Sequence, residues 1–325
     1  MFPVIKPMRA SPVKNLSLVD IIIVNYNTLD LLRTCLSNLL DIGFDSANIT
    51  VVDNNSIDGS REWLMSDQSP PVRVLLSAEN LGFAGGNNLG ISATSSRDYV
   101  LLLNTDAFPV PGSIEHLLTV LIKKPRTAVV GPQLLYPNGK WQRSTGNIPS
   151  PSSAMLDAIG ITTLQRLISQ LLWPMRRYFS FSSSVEYVDG ACMLIRRSVL
   201  EQIGYLDESL FFFVEDAEFC ARVQDNGYKV RYVPNSVVFH LRGGSSSQKN
   251  RRKSLEMKRD SLRKFINLRY GFDGWVNFCN WTYANYQVRY FMCRIFMLLG
   301  FRFNQRCDEY LEAMNVFRKE VVSSP

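Results

Sequence analysis

The sequence predicts an α/β fold, a mostly parallel sheet with helices on both faces, followed by a basic and aromatic helical extension. Three observations predict it. Short β-branched runs alternate with helical stripes through the first half of the chain, the pattern of strand–helix–strand units. Several of those runs end in polar clusters, as strands of an open parallel sheet do where a ligand crevice forms. Beyond about residue 248 the composition turns to Arg, Lys and aromatic residues.

Each element has its own signal. "LVDIIIV" (18–24), "NITVVD" (48–53), "VRVLLS" (72–77), "YVLLLN" (99–104) and "TAVVGPQLLY" (127–136) read as strands, being short, apolar and rich in β-branched residues. Between them, Leu32, Leu36, Leu39 and Leu40 form a helical stripe. Residues 56–64 read as a turn into a short helix, 85–95 as a helix opening on glycines, and 111–124 as a helix with Ser113 near its start. Residues 144–184 lack periodicity and read as a variable loop with one short helix over 162–172. Order returns with a strand into a helix (185–200), a helix ending at Gly227, and strands 228–233 and 236–240 on either side of Pro234. In the extension, helices are expected over 255–270, 284–300 and 307–320, the second with Val288, Phe291, Met292, Ile295, Phe296 and Leu299 on one face.

Composition narrows the class. The 325 residues suffice for a large domain plus an appendage, and 46% hydrophobic with 20% charged residues fits a folded protein. The six scattered cysteines hold no CxxC pair, which points to reduced thiols rather than zinc or disulfides. Residues 1–16 read as a flexible tail without the apolar core of a signal peptide. No continuous apolar run reaches the roughly 20 residues of a membrane span, so a cytoplasmic protein, peripheral at the inner face of the plasma membrane, is expected. Between Lys249 and Arg269 nine basic residues face two acidic ones, an excess equal to the whole chain's net charge of +7. Such a cluster suits an anionic bilayer, nucleic acid or a phosphorylated ligand, or is a solvated helix face.

Four stretches carry chemistry. "ENLGFAGGNN" (79–88) lets backbone approach a ligand, or forms a tight loop; it is neither of the glycine signatures of P-loop or dinucleotide-binding proteins. Asp106 closes a buried strand and is either a helix cap or a ligand for a hard cation such as Mg²⁺ or Mn²⁺, which prefers carboxylate oxygen. Glu215 and Asp216 follow the apolar run "FFFV"; a desolvated carboxylate there has a raised pKa and suits a general base. His240, one of two histidines, closes a strand and is either structural or a ligand.

In order, "IIIVNYNTLDLLRTCLSNLL", "VVDNNSIDGS", "NLGFAGGNN", "LLLNTDAF", "DGACMLIRR", "FFFVEDAEFCARVQDNGYKV" and "VPNSVVFHLRGGS" resemble the nucleotide-sugar glycosyltransferases of family 2, which have the Rossmann-like GT-A fold. The set is most similar to the rhamnosyltransferase-like branch, which builds cell-surface polysaccharides. The resemblance implies a glycosyltransferase domain over 17–247 and leaves 248–325 as an extension. It implies an inverting transfer from a dTDP- or UDP-sugar, with rhamnose the guess, to a glycan or lipid-linked oligosaccharide acceptor, assisted by Mg²⁺ or Mn²⁺.

It also implies roles. Tyr26 and Asn27 would lie at the nucleobase, and Asp53 with Asn54 at the base or ribose. Asn80, Gly82 and Asn88 would line the ribose and diphosphate, with Asn104, Thr105 and Arg242 on the donor side. Asp106 and His240 would ligate the metal, Asp216 would be the catalytic base with Glu215 beside the acceptor, and Asp189 and Gly190 would line the acceptor side. The chain departs from the family where Asn104 and Thr105 replace acids and where Asn54 replaces an acid. Two other readings remain, a nucleotidyltransferase and an inactive scaffold. For the extension, attachment to an anionic membrane surface is favoured over packing or a homodimer, and nucleic acid is not expected as a partner.

Overall fold

The computed structural model describes residues 16–94, 97–178, 181–210, 213–241, 251–299 and 304–322. The tail expected over residues 1–16 lies outside them up to residue 15. Two compact units divide the described residues. The first draws on Met1–Asn147, Leu172–Phe211 and Glu215–Ser247, the second on Ile148–Leu171, Phe212–Val214 and Gln248–Pro325.

Along the chain run β1 (Val19–Asn25), α1 (Leu29–Asp41), β2 (Ile49–Asp53), α2 (Ser60–Leu64), β3 (Arg73–Leu76), α3 (Gly82–Ser92), β4 (Tyr99–Asn104), β5 (Ala107–Pro109), α4 (Ser113–Lys123) and β6 (Thr127–Leu135). After them come β7 (Thr145–Gly146), α5 (Pro151–Ala158), α6 (Ile161–Tyr178), β8 (Ser183–Val185), β9 (Tyr187–Val188), β10 (Cys192–Arg196), α7 (Arg197–Ile203), α8 (Glu215–Asp225), β11 (Lys229–His240), α9 (Arg251–Leu298) and α10 (Asn304–Val322).

The main sheet has the order β3-β2-β1-β4-β10-β6-β11-β5, with β8 on β11. Its β3-β2-β1-β4 half is parallel, whereas β10 runs antiparallel to β4 and β6. Side chains alternate across the strands, which splits the core into two layers. Ile21, Ile23, Leu101 and Leu103 join α1 and α4 on one face; Ile22, Val100 and Leu102 join Ile91 of α3 and Phe219 of α8 on the other. Burial on both faces is why these strands read as unbroken apolar runs.

Three elements differ from the sequence reading. Lys229–His240 form one strand where two were expected: β11 passes Pro234 through a register shift between Val233 and Val237 against β6, where a missing N–H is tolerated. Residues 148–178 hold two helices. Ser150 and Ser153 cap α5 reciprocally, with Pro151 in its first turn, a signal obscured by the surrounding Ser and Pro. In the second unit, α9 is interrupted only at Gly271 (φ 69°, ψ −177°), a conformation suited to glycine. The aromatic surplus after residue 274 partly forms that unit's core: Trp275 stacks on Phe278 at 5.9 Å, and Tyr286 lies against Tyr310 and Phe317.

Candidate active site

Tyr26, Asn27, Asp53, Asn54, Asn104 and Thr105 collect at the carboxyl ends of β1, β2 and β4. A hydrogen-bond network of polar side chains ties these ends together. Asn25 Nδ2 donates to Asp53 Oδ1 (2.9 Å) and Ser56 Oγ (3.1 Å), and Asn25 Oδ1 accepts from Thr28 Oγ1 (2.8 Å). The Thr28 hydroxyl in turn lies 3.0 Å from that of Thr105. Asp53 also accepts from the Ser56 amide (3.0 Å) and has no exposed surface. Its carboxylate therefore shapes the β1–β2 crevice from within.

Tyr26, beside this network, exposes 42% of its surface. Asn27 follows in the left-handed region (φ 53°), which Asn tolerates, and accepts from the Ile57 amide at 2.7 Å. Asn54 donates to Asn80 Oδ1 (3.1 Å) and Gly82 O (2.8 Å), fixing the loop that opens α3. Asn88 is spent on the segment before α8, donating to Leu206 O (2.9 Å) and Glu208 Oε1 (2.8 Å). The glycines left open by the sequence reading divide in role. At Gly86 and Gly90 a Cβ would come within 2.7 Å of Val24 and 2.4 Å of Ile22, so these two let α3 lie flat on β1. Gly82 takes a positive φ of 72° at the loop itself.

Asp106 and His240 meet because β5 pairs antiparallel with β11, setting Ala107 opposite His240. The Leu241 amide donates to Asp106 O (3.1 Å), and His240 Nε2 lies 3.3 Å from Asp106 Oδ1. Both side chains are buried. Gln142 sets which ring nitrogen faces Asp106. Its Nε2 donates to the His240 carbonyl (3.3 Å), which leaves Oε1 facing His240 Nδ1 at 2.8 Å. Nδ1 must then be the donor. With Nδ1 occupied, Nε2 is the ring nitrogen directed at the Asp106 carboxylate, and an imidazole nitrogen beside a carboxylate oxygen is a donor set that a divalent ion accepts. The pair thus fits a divalent ion that takes its other ligands from phosphate and water. Among the described residues no group of three or more acidic, histidine or cysteine side chains gathers as a metal site.

Asp216 sits in the first turn of α8. Its carboxylate accepts from the Ala217 amide (2.7 Å) and the Gly190 amide (3.1 Å). Burial, then the nearby charge of Asp189, push its pKa up to about 6. Asp189 is held by the Ala191 amide on its Oδ1 (3.0 Å) and by its own amide on Ser144 O (3.0 Å). Gly190 leaves room for Phe83 and Asp216, which a Cβ would approach to 3.2 and 3.5 Å. The Asn104 amide donates to Ala191 O (3.0 Å), so the 189–191 segment runs beside the β4 end that carries Asp106. Glu215 is buried next to Asp216. The preceding Phe213 and Val214 take φ of 66° and 77°, strained for residues with side chains.

The structure therefore brings Asp106, His240, Asp189, Gly190 and Asp216 to the same end of the sheet as Tyr26, Asn27, Asp53, Asn54, Asn80, Gly82, Asn104 and Thr105. Arg242, with Gly243 and Gly244, lies outside the described residues. Sequence reasoning missed Gln142 and Tyr187, whose phenol is raised chiefly by burial and next by the Asp216 charge. Neither residue belongs to a motif.

The family model described as "Glycosyl transferase family 2" matches residues 20–204. The chain belongs to glycosyl transferase family 2. This family 2 chain is 31% identical over 209 residues to the "Low-salt glycan biosynthesis hexosyltransferase Agl10" of Haloferax volcanii, the match covering 63% of this chain and 61% of that protein. It is 28% identical over 211 residues to the "N-acetylglucosaminyl-diphospho-decaprenol L-rhamnosyltransferase" of Mycobacterium tuberculosis, covering 62% of this chain and 68% of the relative. Among solved structures, the mannosyltransferase PcManGT of Pyrobaculum calidifontis in complex with GDP-Man and Mn²⁺ shares the fold at a TM-score of 0.59 and 13% identity, over 98% of this chain and 91% of that one. GalNAc-T7 with UDP, GalNAc and Mn²⁺ does so at 0.58 and 13% identity, over 85% and 54%. The fold of this family 2 chain is GT-A-like.

Proposed function

We propose that this chain is an inverting, metal-assisted glycosyltransferase that moves a sugar from a nucleotide diphosphate donor to a hydroxyl of a glycan or lipid-linked acceptor in cell-surface polysaccharide biosynthesis. The observation that carries the reading is the Asp106–His240 pair, a carboxylate oxygen and an imidazole nitrogen 3.3 Å apart at the sheet end shared with Asp216. A divalent ion bound there would stabilise the charge that develops on the leaving diphosphate. Asp106 and His240 would hold it, with Gln142, on Nδ1, leaving Nε2 directed toward it. Tyr26 offers its exposed ring to the nucleobase. Asp53 and Asn54 keep the crevice walls in place from behind.

Asp216 takes the proton of the incoming hydroxyl. With a pKa near 6 it is mostly ionised at neutral pH and still basic enough to accept a proton. One displacement with one base inverts the anomeric centre. A dTDP-rhamnose donor is favoured by the rhamnosyltransferase among the relatives, and a lipid-linked acceptor by the same relative's decaprenol-linked substrate. The test is a screen of dTDP-, UDP- and GDP-sugars with Mg²⁺ or Mn²⁺, scored by nucleoside diphosphate release. Turnover with one donor, abolished in Asp106→Asn, upholds the reading. Nucleotidyl transfer to a sugar phosphate, or donor binding without turnover across acceptors, replaces it.

A further inference from the structure

Arg143 stands where the short ribbon of β7 and β9 runs into the reaction centre. In that ribbon Gly146 pairs with Tyr187 and Thr145 with Val188, antiparallel. The Asp189 amide donates to Ser144 O (3.0 Å), which carries the same register one residue further. The next step of that register falls on Arg143 and Gly190, and the Gly190 amide holds Asp216 Oδ2 at 3.1 Å. The residues on either side of Arg143 are committed: Gln142 to His240, and Ser144 Oγ to the Leu134 amide. Arg143 itself is not. Its Nε donates to Thr145 O (2.7 Å). Its Nη2 lies over Gly146 beside the Tyr187 phenol, since a Cβ on Gly146 would come within 2.5 Å of the first and 2.4 Å of the second. Among the described residues neither Nη atom donates a hydrogen bond and no carboxylate pairs with the guanidinium. Its charge is nonetheless felt there. Burial raises the Tyr187 phenol most, the charges of Asp216 and Asp189 add to that, and Arg143 opposes it.

We propose that Arg143 is a substrate-binding residue that takes a phosphate of the acceptor, next to the sugar whose hydroxyl Asp216 deprotonates. A partly buried guanidinium that pairs with no acid, while two acids stand on the neighbouring segment, is placed for an anion that arrives from outside. Its planar fork of N–H donors matches two phosphate oxygens at once. Asp189 and Asp216 alone would repel an anionic acceptor, and a cation beside them offsets that repulsion. The donor diphosphate is the poorer source of the phosphate. Its charge is met by the ion at Asp106 and His240, whereas Arg143 lies on the Gly190–Asp216 side. The proposal deepens the reading of Asp216 as the base and rests on that reading. It narrows the acceptor to sugars linked through phosphate.

The test is calorimetric titration of the full chain, with Mn²⁺ and UDP or dTDP in excess to fill the donor side. Two probes are compared, N-acetylglucosaminyl decyl diphosphate and decyl N-acetylglucosaminide, which differ only in the diphosphate. Wild type is expected to bind the first at least tenfold more tightly. Arg143→Gln is expected to lose that preference and to bind the second probe as wild type does, with an unchanged melting temperature. Arg143→Lys, which keeps the charge without the fork, should retain part of it. Equal binding of the two probes by wild type, binding of neither, or an undiminished preference in Arg143→Gln overturns the proposal. If Arg143→Gln weakens Mn²⁺-dependent binding of UDP or dTDP instead, the phosphate is the donor's and the assignment to the acceptor falls. Equal loss on both probes with a lowered melting temperature marks a structural role and overturns it too. Nucleoside diphosphate release from the donor by wild type, without either probe, reports on glycosyl transfer separately.

Discussion

The two ends of the sheet treat a buried carboxylate in opposite ways. Near the start of β1, Asp20 meets Arg197 Nη2 at 2.6 Å, and the same guanidinium donates to Thr94 O (2.8 Å) and Arg97 O (2.6 Å). That acid has a full partner. At the other end, Asp106 faces the His240 imidazole, whose Nδ1 is taken by Gln142, and Asp216 faces a second acid, Asp189. The first arrangement closes a structure. The second leaves charge that a cation or a substrate proton can satisfy, which is what a reaction centre needs and a core avoids.

The comparison can be broken first at Asp216. Asp216→Asn is expected to lower turnover by about 10²–10⁴-fold, the usual contribution of a general base. Its sign on stability separates it from a fold defect. An acid whose pKa is raised in the folded state favours folding when protonated, and that contribution is lost as pH rises from about 4 through about 6. Removing the charge therefore leaves the melting temperature at pH 8 no lower than wild type. For wild type, kcat/KM should climb with pH through a midpoint near 6; a flat profile between pH 5 and 8 would rule out Asp216 as the base.

Arg197→Met should do the reverse, costing about 3–5 kcal/mol in denaturant unfolding by stranding Asp20, while the surviving folded fraction keeps its kcat. A smaller effect is expected at Gln142. Gln142→Leu should weaken Mn²⁺ binding, read by calorimetry, about 10–100-fold. It should also redistribute the proton between the His240 nitrogens in nitrogen-15 spectra, which a general loosening of the site would not do. Gln142→Glu, which preserves the acceptor, should restore the tautomer. The smallest shift belongs to Asp189→Asn. It should lower the kcat/KM midpoint by less than about one unit, since burial, the larger cause at Asp216, remains.

Much of this was legible in particular residues. The apolar runs of β1 and β4 and the polar groups that end them were visible because burial on both faces leaves an unbroken signal. Asp106, Asp216 and His240 stood out as charged or titratable groups at the ends of apolar segments. Other features could not be read along the chain. Residues 107–109 are too short to announce β5, yet their pairing with β11 brings Asp106 to His240. Asp53 and Asn54 were legible as polar groups ending a strand, but their bonds to Asn25, Asn80 and Gly82 were not.

By itself the sequence determined which segments become strands and helices, where each ends in polar residues, and to which family the chain belongs, because periodicity and motifs are local properties. Only the tertiary structure decided which acids share a boundary and which nitrogen of His240 faces Asp106. Those depend on desolvation and on partners brought from distant parts of the chain, and neither exists until the sheet has formed.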